Sequence, residues 1–192
     1  RSYDFYMLDD RRLVITIADV SGKGVPAALF MVIAKTILKN SALSAGEEET
    51  FADVIRRANQ QLCENNEAML FVTVFFGVLD IRTGDFTYVN CGHNPPLLRQ
   101  GTDGAFTYLR PAKKNLMMGV EEDLRFTQER LQMSPGSLLF CYTDGVTEAM
   151  NEAGEVYSEG QLQADLTGIP SGNGVPVADV LAALRKDITA RS

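Results

Sequence analysis

Residues 70–79, LFVTVFFGVL, run into the turn-forming stretch 80–85, DIRTGD, and then into 86–91, FTYVNC. The outer two runs are rich in β-branched and aromatic residues, and the six residues between them include Asp, Thr and Gly. The stretch therefore reads as two strands joined by a hairpin, which makes the pair antiparallel. Upstream, Arg12–Ala18 (RLVITIA) reads as a buried strand entering the glycine turn Asp19-Val20-Ser21-Gly22-Lys23-Gly24. Pro26 stands where a first helical turn tolerates it, and Ala27–Lys39 holds good helix formers. Ser41–Glu49 is polar and reads as loop. Thr50 with Asp53 resembles a capping box opening a second helix to about Glu64, with Phe51, Val54, Ile55, Ala58 and Leu62 on one face. Downstream, Leu97–Arg99, Ala105–Leu109, Leu124–Leu131 and Ser137–Tyr142 are short strand-like runs. Helices are expected after Asp144 and over Ser158–Leu166 and Pro176–Ala190, with Gly168–Gly174 as a flexible connector. Hairpin-linked strands with helices laid on the sheets define an α+β layered architecture, not alternating βαβ units.

The chain has 192 residues, with 18 Lys+Arg against 25 Asp+Glu, a net charge of −7. At roughly 150 residues per domain, this favours a single domain over 1–192. An acidic total without a Lys/Arg cluster argues against nucleic acid or an anionic membrane as partner. The longest strongly apolar run, Val25–Ala34, is about half a membrane span, and no charged-then-apolar leader opens the sequence. Cys63, Cys91 and Cys141 are odd in number and widely spaced, which fits neither a disulfide framework nor a zinc site. They read as small apolar residues in a reducing cytoplasm.

Two strands end in an acidic residue followed by turn formers, at Asp19 and at Asp144, and Asp4 lies between aromatics near the start. Gathering carboxylates at buried strand ends is costly unless a cation neutralises them. Oxygen-only clusters suit Mg²⁺ or Mn²⁺ better than Zn²⁺, and two such ions can ionise a bridging water for attack on phosphorus. The competing reading is that these aspartates are turn formers or helix caps. Ser21, Gly22 and Lys23, ahead of a helix, could offer N–H groups and a cation to a phosphate, although the Walker spacing is absent. His93, in the Pro-bounded GHNPP loop, reads as a structural hydrogen-bonder.

Four stretches carry a resemblance: Asp4-Phe5-Tyr6; Asp19 to Gly24 with Pro26-Ala27-Ala28; Asn90 to Pro96; and Thr143-Asp144-Gly145-Val146-Thr147-Glu148-Ala149. In this order they resemble the metal-dependent (type 2C-like, PPM superfamily) serine/threonine protein phosphatases, in the bacterial SpoIIE/RsbU branch. The resemblance implies an α-β-β-α sandwich of two antiparallel sheets flanked by helices. It implies hydrolysis of phosphoserine or phosphothreonine on a protein by a water bridging two Mn²⁺ or Mg²⁺ ions, without a phosphoenzyme. Carried over by position, Asp4, Asp19, the Val20 carbonyl and Asp144 would be the metal ligands, with Asp19 bridging. The implied partners are a phosphorylated anti-sigma-factor antagonist as substrate and an upstream sensor or receiver domain, in the cytoplasm. An exposed strand edge would also invite pairing with a second copy.

Three departures from the family pattern stand out. Met7 replaces the second Asp of Gly-Gly-Asp-Phe-Tyr-Asp. The edge strand usual before that motif is absent, and the closing Asp-Asp-x-Thr strand is missing. Asp187-Ile188-Thr189 is only superficially similar to that last motif, because Val180, Leu181, Leu184 and Ile188 have helical spacing. These departures keep a second reading in play, a catalytically impaired phosphatase-like module that acts by binding protein. A haloacid-dehalogenase reading of Asp144-Gly145-Val146-Thr147 fails, since Tyr142 and Val146 stand where the second Asp is required.

Overall fold

The computed structural model describes residues 2–64, 66–150, 155–170 and 174–191. In chain order its elements are β1 (Ser2–Met7), β2 (Arg12–Val20), α1 (Gly24–Leu43), α2 (Phe51–Glu64), β3 (Val72–Asp80), β4 (Asp85–Cys91), β5 (Leu97–Arg99), β6 (Thr107–Tyr108), β7 (Glu129–Gln132), β8 (Leu138–Phe140), α3 (Asp144–Thr147), α4 (Glu159–Gly168) and α5 (Val177–Arg191). They divide into two compact units: Arg1–His93 with Pro111–Gln132, and Asn94–Arg110 with Met133–Ser192.

The first unit holds a five-stranded antiparallel sheet ordered β1-β2-β3-β4-β7. Its hairpins are built by aspartates that turn the chain with their own carboxylates. Asp80 Oδ1 accepts the N–H groups of Arg82 (2.9 Å) and Thr83 (3.1 Å), and Asp9 Oδ1 those of Arg11 (3.0 Å) and Arg12 (2.8 Å). Along β2 and β3 the pleat sends alternate residues to opposite faces. Val14, Ala18, Val72, Val74 and Phe76 pack in one core with Phe30, Ala34 and Leu38 of α1 and Val54, Ile55, Ala58 and Leu62 of α2. On the other face Phe75, Phe86 and Tyr88 cluster with ring centroids 5.3–6.4 Å apart. Gly77 leaves room for them, because a Cβ there would stand 2.6 Å from the Phe86 ring. Both faces of β3 are thus apolar, which is why 70–79 shows a continuous apolar run with little alternation.

Thr50 and Asp53 form the expected cap: Asp53 N–H donates to Thr50 Oγ1 (3.1 Å), and Thr50 O–H donates to Asp53 Oδ2 (2.6 Å). Helix α1 is longer than expected, continuing through Ser41 and Ala42, both buried in the packing. At 20 residues it is also long and apolar enough to cross a membrane by length and composition, which corrects the shorter apolar run read from 25–34. Here Ala27, Phe30, Met31, Ala34 and Leu38 are buried in the protein core. The strand expected over 124–131 is confined to β7, since Thr127 gives its backbone groups to a side chain. Thr127 N–H donates to Asn115 Oδ1 (2.8 Å), and Thr127 C=O accepts from Asn115 Nδ2 (3.0 Å).

The second unit holds a three-stranded antiparallel sheet, β6-β5-β8, with α4 and α5. Its core joins Leu97, Phe106, Tyr142, Leu162, Leu166, Val180 and Leu184. Ser158 caps α4 by accepting Gln161 N–H (3.2 Å). Asp187-Ile188-Thr189 lies within α5, as its spacing requires. Of the connector expected over 168–174, residues 171–173 lie outside the described residues, and α4 runs through Gly168.

Candidate metal centre

Strand β2 delivers Asp19 and Val20 to the edge of a glycine turn. Gly22 (φ 87°) and Gly24 (φ 80°) both adopt the left-handed conformation that other L-residues resist, and this lets a strand enter a helix within four residues. The turn is bolted to the start of β3: Ser21 N–H donates to Phe71 C=O (2.8 Å), and Ser21 Oγ accepts Phe71 N–H (2.9 Å). Thr73 Oγ1 donates to the Asp19 carbonyl (3.3 Å). Helix α1 then begins without a side-chain cap and without an acidic residue in its first turn. Its first N–H groups therefore lack a side-chain acceptor of that kind, and the helix dipole favours an anion there.

A cavity of about 540 Å³ opens at this corner, lined by Asp19, Val20, Gly22, Lys23 and Gly24 and walled by Ala27, Ala28 and Met31. The donors it offers, a carboxylate and main-chain oxygen, fit a hard divalent cation by their chemistry. Of the three residues expected to receive a phosphate, Gly22 and Lys23 line this cavity, whereas Ser21 is not among its lining residues and its Oγ accepts Phe71 N–H.

The other two expected ligands are placed differently. Asp4 pairs with Thr16 in the β1–β2 register, which puts it on the face of Val14, Thr16 and Ala18, toward α1. Its Oδ2 lies 3.8 Å from Lys35 Nζ of α1, and its Oδ1 accepts Phe5 N–H (3.0 Å). Asp19, an odd-numbered residue on β2, belongs to the opposite face. Asp144 is the exposed first residue of α3, in the second unit, where its carbonyl accepts Glu148 N–H (2.7 Å). Among the described residues, no three His, Cys, Asp or Glu side chains gather as a metal-holding group.

His93 is buried and hydrogen-bonded, as its loop suggested: its Nδ1 lies 2.9 Å from Thr73 Oγ1, and its N–H donates to Asn90 Oδ1 (2.8 Å). Asn90 opens the stretch Asn90–Pro96 singled out in the sequence, whereas Thr73 and Asn115 have no signature there; only their hydrogen bonds in the fold mark them. The three cysteines are free. Burial pushes the Cys91 thiol far above its usual range and that of Cys141 to about 12, so neither is a thiolate nucleophile at neutral pH.

Two antiparallel sheets with flanking helices and an aspartate-ended strand turning into a helix place the molecule among the PP2C-type phosphatase folds. The phosphatase domain of SpoIIE from Bacillus subtilis, solved with a fragment of its regulatory domain, superimposes with a TM-score of 0.76 at 18% identity, covering 98% of this chain and 52% of that one. The catalytic domain of the serine/threonine phosphatase PstP, solved in complex with two manganese ions, gives a TM-score of 0.64 at 13% identity, over 98% of this chain and 84% of that one. In sequence, the phosphoserine phosphatase RsbU of Bacillus subtilis is 31% identical over 152 residues, 79% of this chain and 44% of RsbU. Residues 9–192 match the family described as Stage II sporulation protein E, and the chain belongs to that SpoIIE family. It spans less than half the length of curated relatives such as these.

Proposed function

We propose that this chain is the phosphatase part of a bacterial signalling protein and hydrolyses phosphoserine or phosphothreonine on a regulatory protein of the anti-sigma-factor-antagonist type. The observation that carries the reading is the Asp19–Val20 corner, where metal-type oxygen donors and a phosphate-type helix N-terminus line one cavity. SpoIIE membership and the likeness to a phosphoserine phosphatase support it. Asp19 and the Val20 carbonyl hold Mn²⁺ or Mg²⁺, with Asp4 and Asp144 as the further acidic ligands. Two such ions, when bound, supply the charge that ionises a water and offsets the phosphate. Ser21, the N–H groups at Gly22 and Lys23, and the Lys23 ammonium receive the phosphate oxygens. Attack at phosphorus breaks the bond to the serine or threonine oxygen, and the products are inorganic phosphate and the free hydroxyl.

We further infer an upstream sensor or receiver domain and a cytoplasmic setting, the latter in keeping with three free thiols. The binding-only reading gains support from one observation, the placement of Asp4 against Lys35 and away from Asp19. One experiment separates the two. Wild-type chain with Mn²⁺ should release phosphate from a phosphoserine protein or from p-nitrophenyl phosphate, and Asp19→Asn should abolish the release while keeping the circular dichroism of the fold. No turnover by the wild type at saturating Mn²⁺ would select the binding module.

A further inference from the structure

We propose that Thr73 and His93 are a positioning pair that fixes the Asp19–Val20 peptide for dication binding, an inference that rests on the metal reading above. Thr73 lies directly opposite Asp19 in the β2–β3 register. A hydroxyl has one hydrogen to give. Thr73 Oγ1 lies 3.3 Å from the Asp19 carbonyl oxygen and 2.9 Å from His93 Nδ1. We assign His93 the tautomer with its proton on Nδ1, which leaves the hydroxyl hydrogen for the carbonyl. The imidazole thereby orients the hydroxyl, and the hydroxyl orients the Asp19 carbonyl. Backbone groups of successive strand residues point to opposite sides. Turning the Asp19 carbonyl toward β3 thus turns the Val20 carbonyl the other way, and Val20 lines the cavity.

The pair is the end of a longer buried chain. His93, Asn90 and Asn115 are 6%, 5% and 8% exposed. His93 N–H donates to Asn90 Oδ1 at 2.8 Å, and Asn90 C=O accepts Asn115 Nδ2 at 3.1 Å. Asn115 in turn holds both backbone groups of Thr127. Gly92 (φ 67°) makes the corner that returns His93 alongside β3, where a Cβ would meet Met117 N at 3.3 Å. Three polar side chains buried at this cost, His93, Asn90 and Asn115, are kept only when each is satisfied, and a satisfied network holds one geometry. The partly buried Thr73 joins it to the end of β2. The network ends on the backbone of Asp19.

The test uses the 192-residue chain and Mn²⁺ alone, titrated by the loss of the free-ion electron paramagnetic resonance signal, with melting in EDTA as control. Thr73→Val keeps the shape and removes the hydroxyl; Thr73→Ser keeps the hydroxyl. His93→Leu removes the Nδ1 donor, and His93→Asn restores an N–H near its place. Thr73→Val and His93→Leu should each weaken Mn²⁺ binding by about 10- to 100-fold, the usual cost of losing an outer-shell partner. Thr73→Ser should bind as wild type, His93→Asn should recover part of the loss, and the double variant should be no worse than either single one. Wild-type Mn²⁺ affinity in Thr73→Val, with Asp19→Asn unable to bind, overturns the positioning role and leaves the metal reading standing. Mn²⁺ binding that survives Asp19→Asn overturns the metal reading itself. Should Thr73→Val fail to melt cooperatively, Thr73→Ala carries the same comparison.

Discussion

Asp4 and Asp19 sit on neighbouring antiparallel strands, yet the pleat gives them opposite faces, because Asp4 is opposite Thr16 and not opposite an odd-numbered residue. Their difference in role follows from this parity. Asp19 borders the cavity with Val20 and Lys23, whereas Asp4 faces Lys35 across 3.8 Å, a half-exposed pair of small energetic consequence. A carboxylate held on the far face contributes less to the cation than one lining the cavity. Asp4→Asn should therefore raise the half-saturating Mn²⁺ concentration by about tenfold, the lower end of the range for groups around a metal. Asp19→Asn should abolish saturation altogether. Both are read from phosphate release against Mn²⁺ concentration. A loss with Asp4→Asn as complete as that with Asp19→Asn would show that β1 presents Asp4 on the other face when metal is bound.

At the scale of elements, the junction of α1 and α2 is tied by one guanidinium. Arg57 of α2 donates to both Glu49 oxygens (3.1 and 2.9 Å), to the Ser41 carbonyl (3.0 Å) and to Ser44 Oγ (3.2 Å). It satisfies a carbonyl in the last turn of α1 that the helix itself leaves open. Arg57→Ala should cost about 1–3 kcal/mol in urea unfolding, the range for hydrogen bonds to a charged group. Arg57→Lys should restore little of it, since an ammonium cannot make the forked contact. The Arg57 hydrogen bond holds the Glu49 carboxyl below its ordinary range against the opposing effect of burial. A depressed carboxylate stabilises the fold above its unfolded pKa and loses that contribution as pH falls through the folded value. Glu49→Gln should accordingly flatten this part of the acid limb, and an unchanged acid limb would remove Glu49 from the account. The same junction explains what a sequence can and cannot tell. The Thr50–Asp53 cap was legible because all its partners lie within four residues. The true end of α1 was not, because Ser41 and Ala42 look like loop until Arg57, 16 residues on, closes over them. The shortened β7 was equally hidden, since it depends on Asn115 displacing a strand partner from Thr127. Asp19 and Val20 could be chosen from strand-end chemistry, but the face of Asp4 depends on a hairpin register, where one residue of slip reverses every side chain.

For the whole molecule, a chain of charge −7 gathers a dication with long-range attraction and repels a free phosphate until that cation is in place. Binding to the folded state alone then raises its stability by mass action. At 100 times the dissociation constant the gain is about 2.7 kcal/mol. For a chain of this size each kcal/mol moves the melting temperature by about 2–4 °C, so saturating Mn²⁺ should raise it by about 5–11 °C. Mg²⁺ should do the same at higher concentration if its stricter octahedral geometry is less well met. The variants give this shift its meaning. Asp19→Asn should melt at the EDTA temperature of the wild type whatever the Mn²⁺ concentration. Asp144→Asn tests whether the second unit takes part: a proposed ligand there requires the shift to shrink, and a full shift in that variant would confine the metal to the residues of the first unit. Differential scanning calorimetry in EDTA and in Mn²⁺ decides it by the size of the shift.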